Sequence, residues 1–135
     1  MCDNSEFRIQ NSALYSPLAL AFLGDAVFDI LVREQLLLEA NRPVRDLHRE
    51  SARQVNAGEQ ARAMLKLAPL LTEEEAAVLR RGRNAKPGHV PPGCTREEYA
   101  RATALEALFG WLWLSGRFDR ARELFGILEG GNQSE

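Results

Sequence analysis

Two long apolar segments constrain the fold more than any other feature of this sequence: LALAFLGDAVFDILVREQLLLEA, from Leu18, and TALEALFGWLWLSG, from Thr103. Each spans several helical turns, and neither shows the period-two alternation of a half-buried strand. Helix-start signals precede both. Ser16-Pro17 is an N-cap with proline at the first helical position. Thr95 with Glu98 is a capping box. Helices that are apolar on nearly every side belong in the middle of a domain, so the remaining segments are expected to pack around these two.

Those segments also read as helix. A region from about Val44 to Leu71 carries Leu47, Val55, Ala61 and Leu65 among arginines and glutamates, and Asn56-Ala57-Gly58 is expected to split it in two. Thr72 with Glu75 is a second capping box and opens a short helix through about Arg81. Residues 81–94, RGRNAKPGHVPPGC, hold three glycines and three prolines and read as a loop. Gly24 is expected to interrupt the first long helix, at about 1 kcal/mol relative to alanine, and Asn41-Arg42-Pro43 to end it. Gly116 closes the second long helix, and Phe118 to Leu128 forms a last amphipathic one. The expectation is an all-α fold of six to seven helices. Residues 1–13 form an N-terminal tail, 14–128 the folded domain and 129–135 a C-terminal tail.

The length of 135 residues suits one domain. No uncharged apolar run approaches the roughly 18 residues a membrane-spanning helix needs. The polar, acidic N-terminus lacks the basic-then-apolar pattern of a secretory signal. Cys2 and Cys94 make neither a disulfide framework nor a zinc pattern, so a cytoplasmic location is the simpler expectation.

The formal net charge of −2 argues against a nucleic-acid binder until its distribution is considered. Residues 1–41 carry −4, residues 42–78 are neutral, residues 79–96 carry +5 with no acid, and residues 97–135 carry −3. One short stretch, with Arg80, Arg81, Arg83, Lys86 and Arg96, concentrates the positive charge. Arg80 and Arg81 complement a helix C-terminus. Arg83 and Lys86, with Asn84 between them, are left to follow a phosphate backbone or to be solvated surface.

Two acids stand where acids are costly. Asp25 lies within AFLGDAVF and Glu106 within TALEALFGWLW. Leu18, Phe22 and Asp29 share the helix face of Asp25, and Ala102, Thr103, Phe109 and Gly110 that of Glu106. These are expected to be core faces. A buried carboxylate is costly unless paired, hydrogen-bonded or bound to metal. Small neighbours, Gly24 and Ala26 beside one and Ala107 and Gly110 near the other, permit close helix approach, so the two acids can converge. Paired hard oxygen ligands favour Mg²⁺, or Mn²⁺ as a substitute, over zinc. Such a metal orders a water for attack on a phosphodiester. The alternative is that Asp25 bonds a backbone group or an arginine and that Glu106 is a structural member of a buried ion pair. No nucleophile elbow, Gly-rich phosphate loop or activated cysteine is present. His48 reads as an ordinary polar group of an Arg-rich helix, and Trp111 and Trp113 as core.

AFLGDAVF resembles the signature helix of the ribonuclease III catalytic domain, and TALEALFGWLWL its second catalytic helix. With LTEEEAAVLRRGRNAKPG between them and Tyr99 after it, the sequence is similar to the Mini-ribonuclease III branch, which lacks a double-stranded-RNA-binding domain. The resemblance spans about residues 14–128. It implies a homodimeric, divalent-metal-dependent endoribonuclease that cleaves double-stranded RNA to 5′-phosphate and 3′-hydroxyl ends. The implied role is in maturation of precursor large-subunit ribosomal RNA. Asp25 and Glu106 then take the family's catalytic, metal-binding positions. His48, Gln60, Arg81, Arg83, Asn84 and Lys86 become the RNA-binding set. The full-length pattern carries two further acids where this chain has Ala21 and Thr103. The Mini branch lacks them as well, which leaves fewer protein ligands and more water. Gly58 stands where that branch often has lysine, and Pro92 where a lysine is common. The competing expectation is a helical adaptor that binds RNA or protein without cleaving it.

Overall fold

The computed structural model describes residues 15–133; the expected N-terminal tail and Cys2 lie outside the described residues. The described chain is helical, with six α-helices and no strand among them: α1 (Pro17–Glu39), α2 (Val44–Gln54), α3 (Ala57–Leu67), α4 (Glu73–Asn84), α5 (Arg96–Leu114) and α6 (Phe118–Gln133). A 3-10 turn, Ala68–Leu70, joins α3 to α4. The all-α expectation holds.

Local signals set most boundaries. The Ser16 side chain accepts from the Ala19 N–H at 3.0 Å. Thr72 and Thr95 each form the full reciprocal capping box, with Glu75 and Glu98. Asn56 caps α3 through Glu59 and also donates to the carbonyls of Ala52 and Arg53, so one side chain ends α2 and starts α3. α5 closes with Gly116 at φ +82°. The Arg117 N–H bonds the Leu112 carbonyl and the Gly116 N–H that of Trp113, a glycine-dependent Schellman closure.

Three boundaries differ from the sequence reading. Gly24 does not interrupt α1, which runs unbroken for 23 residues. α4 continues past Arg81 to Asn84, so Arg81, Arg83 and Asn84 sit on a helix and not in the loop. α6 continues past Leu128 through Gln133 instead of yielding to a tail at residue 129.

α5 is the central rod. Ala104, Leu105, Ala107, Leu108, Phe109 and Leu112 are fully buried. α1, α3, α4 and α6 surround it. Phe28 of α1 meets Phe109 and Phe125 edge to face, joining α1, α5 and α6. Trp111 is buried in the core as expected, and the Arg117 guanidinium lies 4.5 Å from its ring centre. Arg120 of α6 bonds both carboxylate oxygens of the buried Glu75 at 2.8 Å. That bidentate pair ties α6 to α4 and holds the Glu75 carboxyl below its ordinary range.

Candidate active site

α1 and α5 cross with their backbones in contact. A Cβ at Gly24 would lie 1.6 Å from the Glu106 carbonyl oxygen, and one at Gly110 would lie 1.9 Å from that of Leu20. Only glycine permits this approach. The residue after Gly24 is Asp25, and the carbonyl that Gly24 touches belongs to Glu106. The crossing itself therefore brings the two acids together, and the Asp25 carboxylate lies within hydrogen-bonding reach of Glu106.

The two acids differ in environment. Burial is the largest influence on Glu106, and the Asp25 carboxylate adds to it through a hydrogen bond and through its charge. Together they push the Glu106 carboxyl up to about 8. The Gln60 amide opposes the shift, its Nε2 donating to Glu106 Oε2 at 3.4 Å. Asp25 itself is exposed, and this corrects the expectation of a core face. Leu18 is 42% exposed and Phe22 85%, so the side of α1 that carries Asp25 is an apolar outer surface of this chain.

Ala21 and Thr103, where the sequence resemblance expects acids in the full-length pattern, are both buried. The Thr103 hydroxyl donates to the Tyr99 carbonyl at 2.8 Å, so it serves the backbone. Among the described residues, no group of three or more His, Cys, Asp or Glu side chains converges. The donor set is thus two carboxyl groups brought together in a partly desolvated place, where the proton on Glu106 is held up to about 8 unless a cation replaces it. Mg²⁺ is characteristically held by one or two carboxylates, with water and substrate phosphate completing its shell. The residues present fit a hard divalent cation of that kind.

The expected RNA-binding residues are dispersed. Arg83 Nη2 bonds Glu97 Oε2 at 2.6 Å, and Arg101 Nε lies 2.8 Å from the same oxygen. Arg81 donates to the Tyr15 carbonyl at 2.9 Å. Asn84, the last residue of α4, and Lys86, just beyond it, are exposed. His48 is exposed beside a separate cleft lined by Arg33, Leu36, Leu37, Val44 and Leu47. Gln60 is only 5% exposed and is turned to Glu106. Sequence reasoning missed that hydrogen bond and the Arg83–Glu97–Arg101 cluster. The signal for Gln60 was available: it lies beside Ala61 and in register with Met64 and Leu67 on the apolar stripe of α3.

Comparison with known proteins identifies the family. A family profile described as Ribonuclease III domain matches residues 18–117. The chain is 45% identical over 117 residues to Mini-ribonuclease 3 of Symbiobacterium thermophilum, covering 87% of this chain and 90% of that protein. It is 40% identical over 123 residues to Mini-ribonuclease 3 of a Thermoanaerobacter species, covering 90% and 87%. A crystal structure of a Fusobacterium nucleatum protein superposes with a TM-score of 0.81 at 31% identity, covering 91% of this chain and 99% of that one. The profile spans both helices of the crossing and both acids, and on that footing the chain belongs to the ribonuclease III family and is an endoribonuclease of that type.

Proposed function

We propose that the chain hydrolyses double-stranded RNA with a divalent cation, Mg²⁺ in the first instance, held by Asp25 and Glu106. The carrying observation is the glycine crossing that brings these two carboxyl groups together, where ionising both is costly until a cation joins them. When bound, the cation supplies charge stabilisation at the phosphate and a water of lowered pKa. The chain's own residues do the rest. Gly24 and Gly110 fix the distance between the helices, so the two acids are set before substrate arrives. In the reaction a water oxygen bonds to phosphorus and the P–O3′ bond breaks. The 3′ oxygen takes up a proton and the phosphate stays on the 5′ side.

Arg83, Asn84 and Lys86 lie at the end of α4 and just after it. They are suited to the phosphates and 2′-hydroxyls by which A-form RNA is recognised. The exposed side of α1, with Leu18, Phe22 and Ile30 flanking Asp25, is suited to a second copy of the chain. A two-fold axis there would present the basic segment twice and two acid pairs to the two antiparallel strands of a duplex. We further propose, from the resemblance read in the sequence, that its substrate is precursor large-subunit ribosomal RNA in the cytoplasm. No helix among the described residues is long and apolar enough to cross a membrane.

The test is incubation of the purified protein with a long RNA duplex, first with Mg²⁺ and then with excess chelator. Scission that needs the cation is expected. Duplex binding without scission, or scission undiminished by chelator, overturns the reading.

A further inference from the structure

Gln60 is the polar group at the acid pair that the proposed reaction has not used. It is 5% exposed on a helix face otherwise occupied by Ala61, Met64 and Leu67. Burying an amide there costs free energy unless it is hydrogen-bonded. Its Nε2 reaches Glu106 Oε2 at 3.4 Å. The helix that carries it is fixed at its start. Asn56 caps α3 and binds back to α2, and the Gln60 N–H bonds the Asn56 carbonyl at 2.9 Å. The first turn also lies against α5, where a Cβ at Gly58 would be 3.8 Å from the Glu98 carboxylate. Gln60 is therefore held on a fixed first turn and aimed at one oxygen of Glu106.

A buried side chain turned inward is poorly placed to touch RNA, and a purely packing residue would not need an amide. We propose that Gln60 is a positioning residue for the divalent cation: its neutral N–H donor fixes the Glu106 carboxyl group by one oxygen and places no competing positive charge beside the acid pair. The neutrality matters. A lysine or arginine at this position would orient Glu106 equally well, yet its own charge would neutralise the carboxylate and compete with the cation. An amide orients without that competition. Partners that orient a metal-binding side chain typically change metal affinity about 10- to 100-fold when removed.

This inference rests on the metal-dependent reading above, and the experiment separates the two. Mn²⁺ binding is measured by calorimetry on the full chain, without RNA, for wild type, Gln60→Leu and Gln60→Lys. Duplex binding is measured in metal-free buffer, and thermal melting checks the fold. Expected is about a tenfold or greater loss of Mn²⁺ affinity in both variants, with duplex affinity in metal-free buffer retained in Gln60→Leu. Unchanged Mn²⁺ affinity in Gln60→Leu overturns the proposal, and weakened duplex binding in that variant makes Gln60 an RNA contact. Wild type that fails to bind Mn²⁺ overturns the metal reading and this inference together. A second measurement needs no variant. The Gln60 side-chain amide resonance of the wild-type protein is followed by NMR during Mg²⁺ titration. It is expected to shift in step with saturation, and a resonance that stays in place at saturating Mg²⁺ overturns the proposal.

Discussion

The crossing of α1 and α5 and the basic end of α4 are built in opposite ways. At the crossing, two glycines bring backbone against backbone, and Glu106 is largely withdrawn from water. At the end of α4, long side chains meet on the surface: Arg83 with Glu97, and Glu97 with Arg101, all between about a third and a half exposed. A contact made by backbone has no rotamers through which to adjust. Exposed ion pairs of this sort contribute about 0–1 kcal/mol and rearrange readily. The contrast separates a part that must hold two like charges at a set distance from a part that must accommodate an irregular polyanion.

Breaking the rigid part is expected to have the largest effect. Asp25→Asn and Glu106→Gln should each reduce duplex cleavage to background in a gel assay while duplex binding persists. Turnover retained in both would remove the acids from the mechanism. Glu106→Gln also carries a signed effect on stability. Because the folded chain holds this carboxyl up to about 8, against 4.5 for an ordinary glutamate, ionising it is harder in the folded than in the unfolded state. The stability it contributes is fully present below about pH 4.5 and is lost as pH rises through about 8. Without divalent cation, Glu106→Gln should therefore melt higher than wild type at about pH 8, and the gap should close toward about pH 4.5.

Next in size is the crossing itself. Gly24→Ala places a methyl 1.6 Å from a carbonyl oxygen, and Gly110→Ala one at 1.9 Å. Neither obstacle is the far end of a flexible side chain, so the helices must separate. Each variant is expected to lose about 3 kcal/mol or more in denaturant unfolding, and metal affinity should fall with it. By contrast, Gly126→Ala, at a position with nothing within 4 Å, should be neutral or slightly stabilising.

The smallest effects belong to the basic end. Lys86→Gln and Arg83→Gln should weaken duplex binding and flatten its dependence on salt, by up to about 0.9 in slope for each phosphate no longer neutralised. Lys86→Gln should cost more than Arg83→Gln, because Arg83 must first release Glu97. An unchanged salt slope in the double variant would reduce this segment to ordinary surface.

Much of the fold was legible because caps and glycines act locally. Thr72, Thr95 and Ser16 announce their helices within four residues, and Asn41-Arg42-Pro43 marks the end of α1. The acid pair was legible because Asp25 and Glu106 are anomalous in apolar surroundings. What failed was the sense of individual glycines and faces. Gly82 counts among the glycines of the expected loop, yet it lies within α4 and lets that helix lie against Ala104 and Ala107, where a Cβ would be only 2.9 Å away. Spacing along one chain does not distinguish a glycine that ends a helix from one that admits a neighbour. Likewise, α1 is apolar on both its buried and its exposed sides: Leu20 and Leu31 are buried whereas Phe22 and Ile30 are not. Hydrophobicity says that a face avoids water, not whether this chain or another one covers it. The inward turn of Gln60 was legible from its place on the apolar stripe of α3, but its bond to Glu106 was not, since that partner is 46 residues away in sequence.

The glycine crossing also limits how this site can diverge. Because Asp25 follows one of the touching residues and Glu106 supplies the carbonyl that is touched, the distance between their Cα atoms is a property of the backbone. No repacking of neighbouring side chains can widen it. A lineage or a designer wishing to suit a larger cation is left with side-chain length alone, one methylene at a time, through Asp25→Glu or Glu106→Asp.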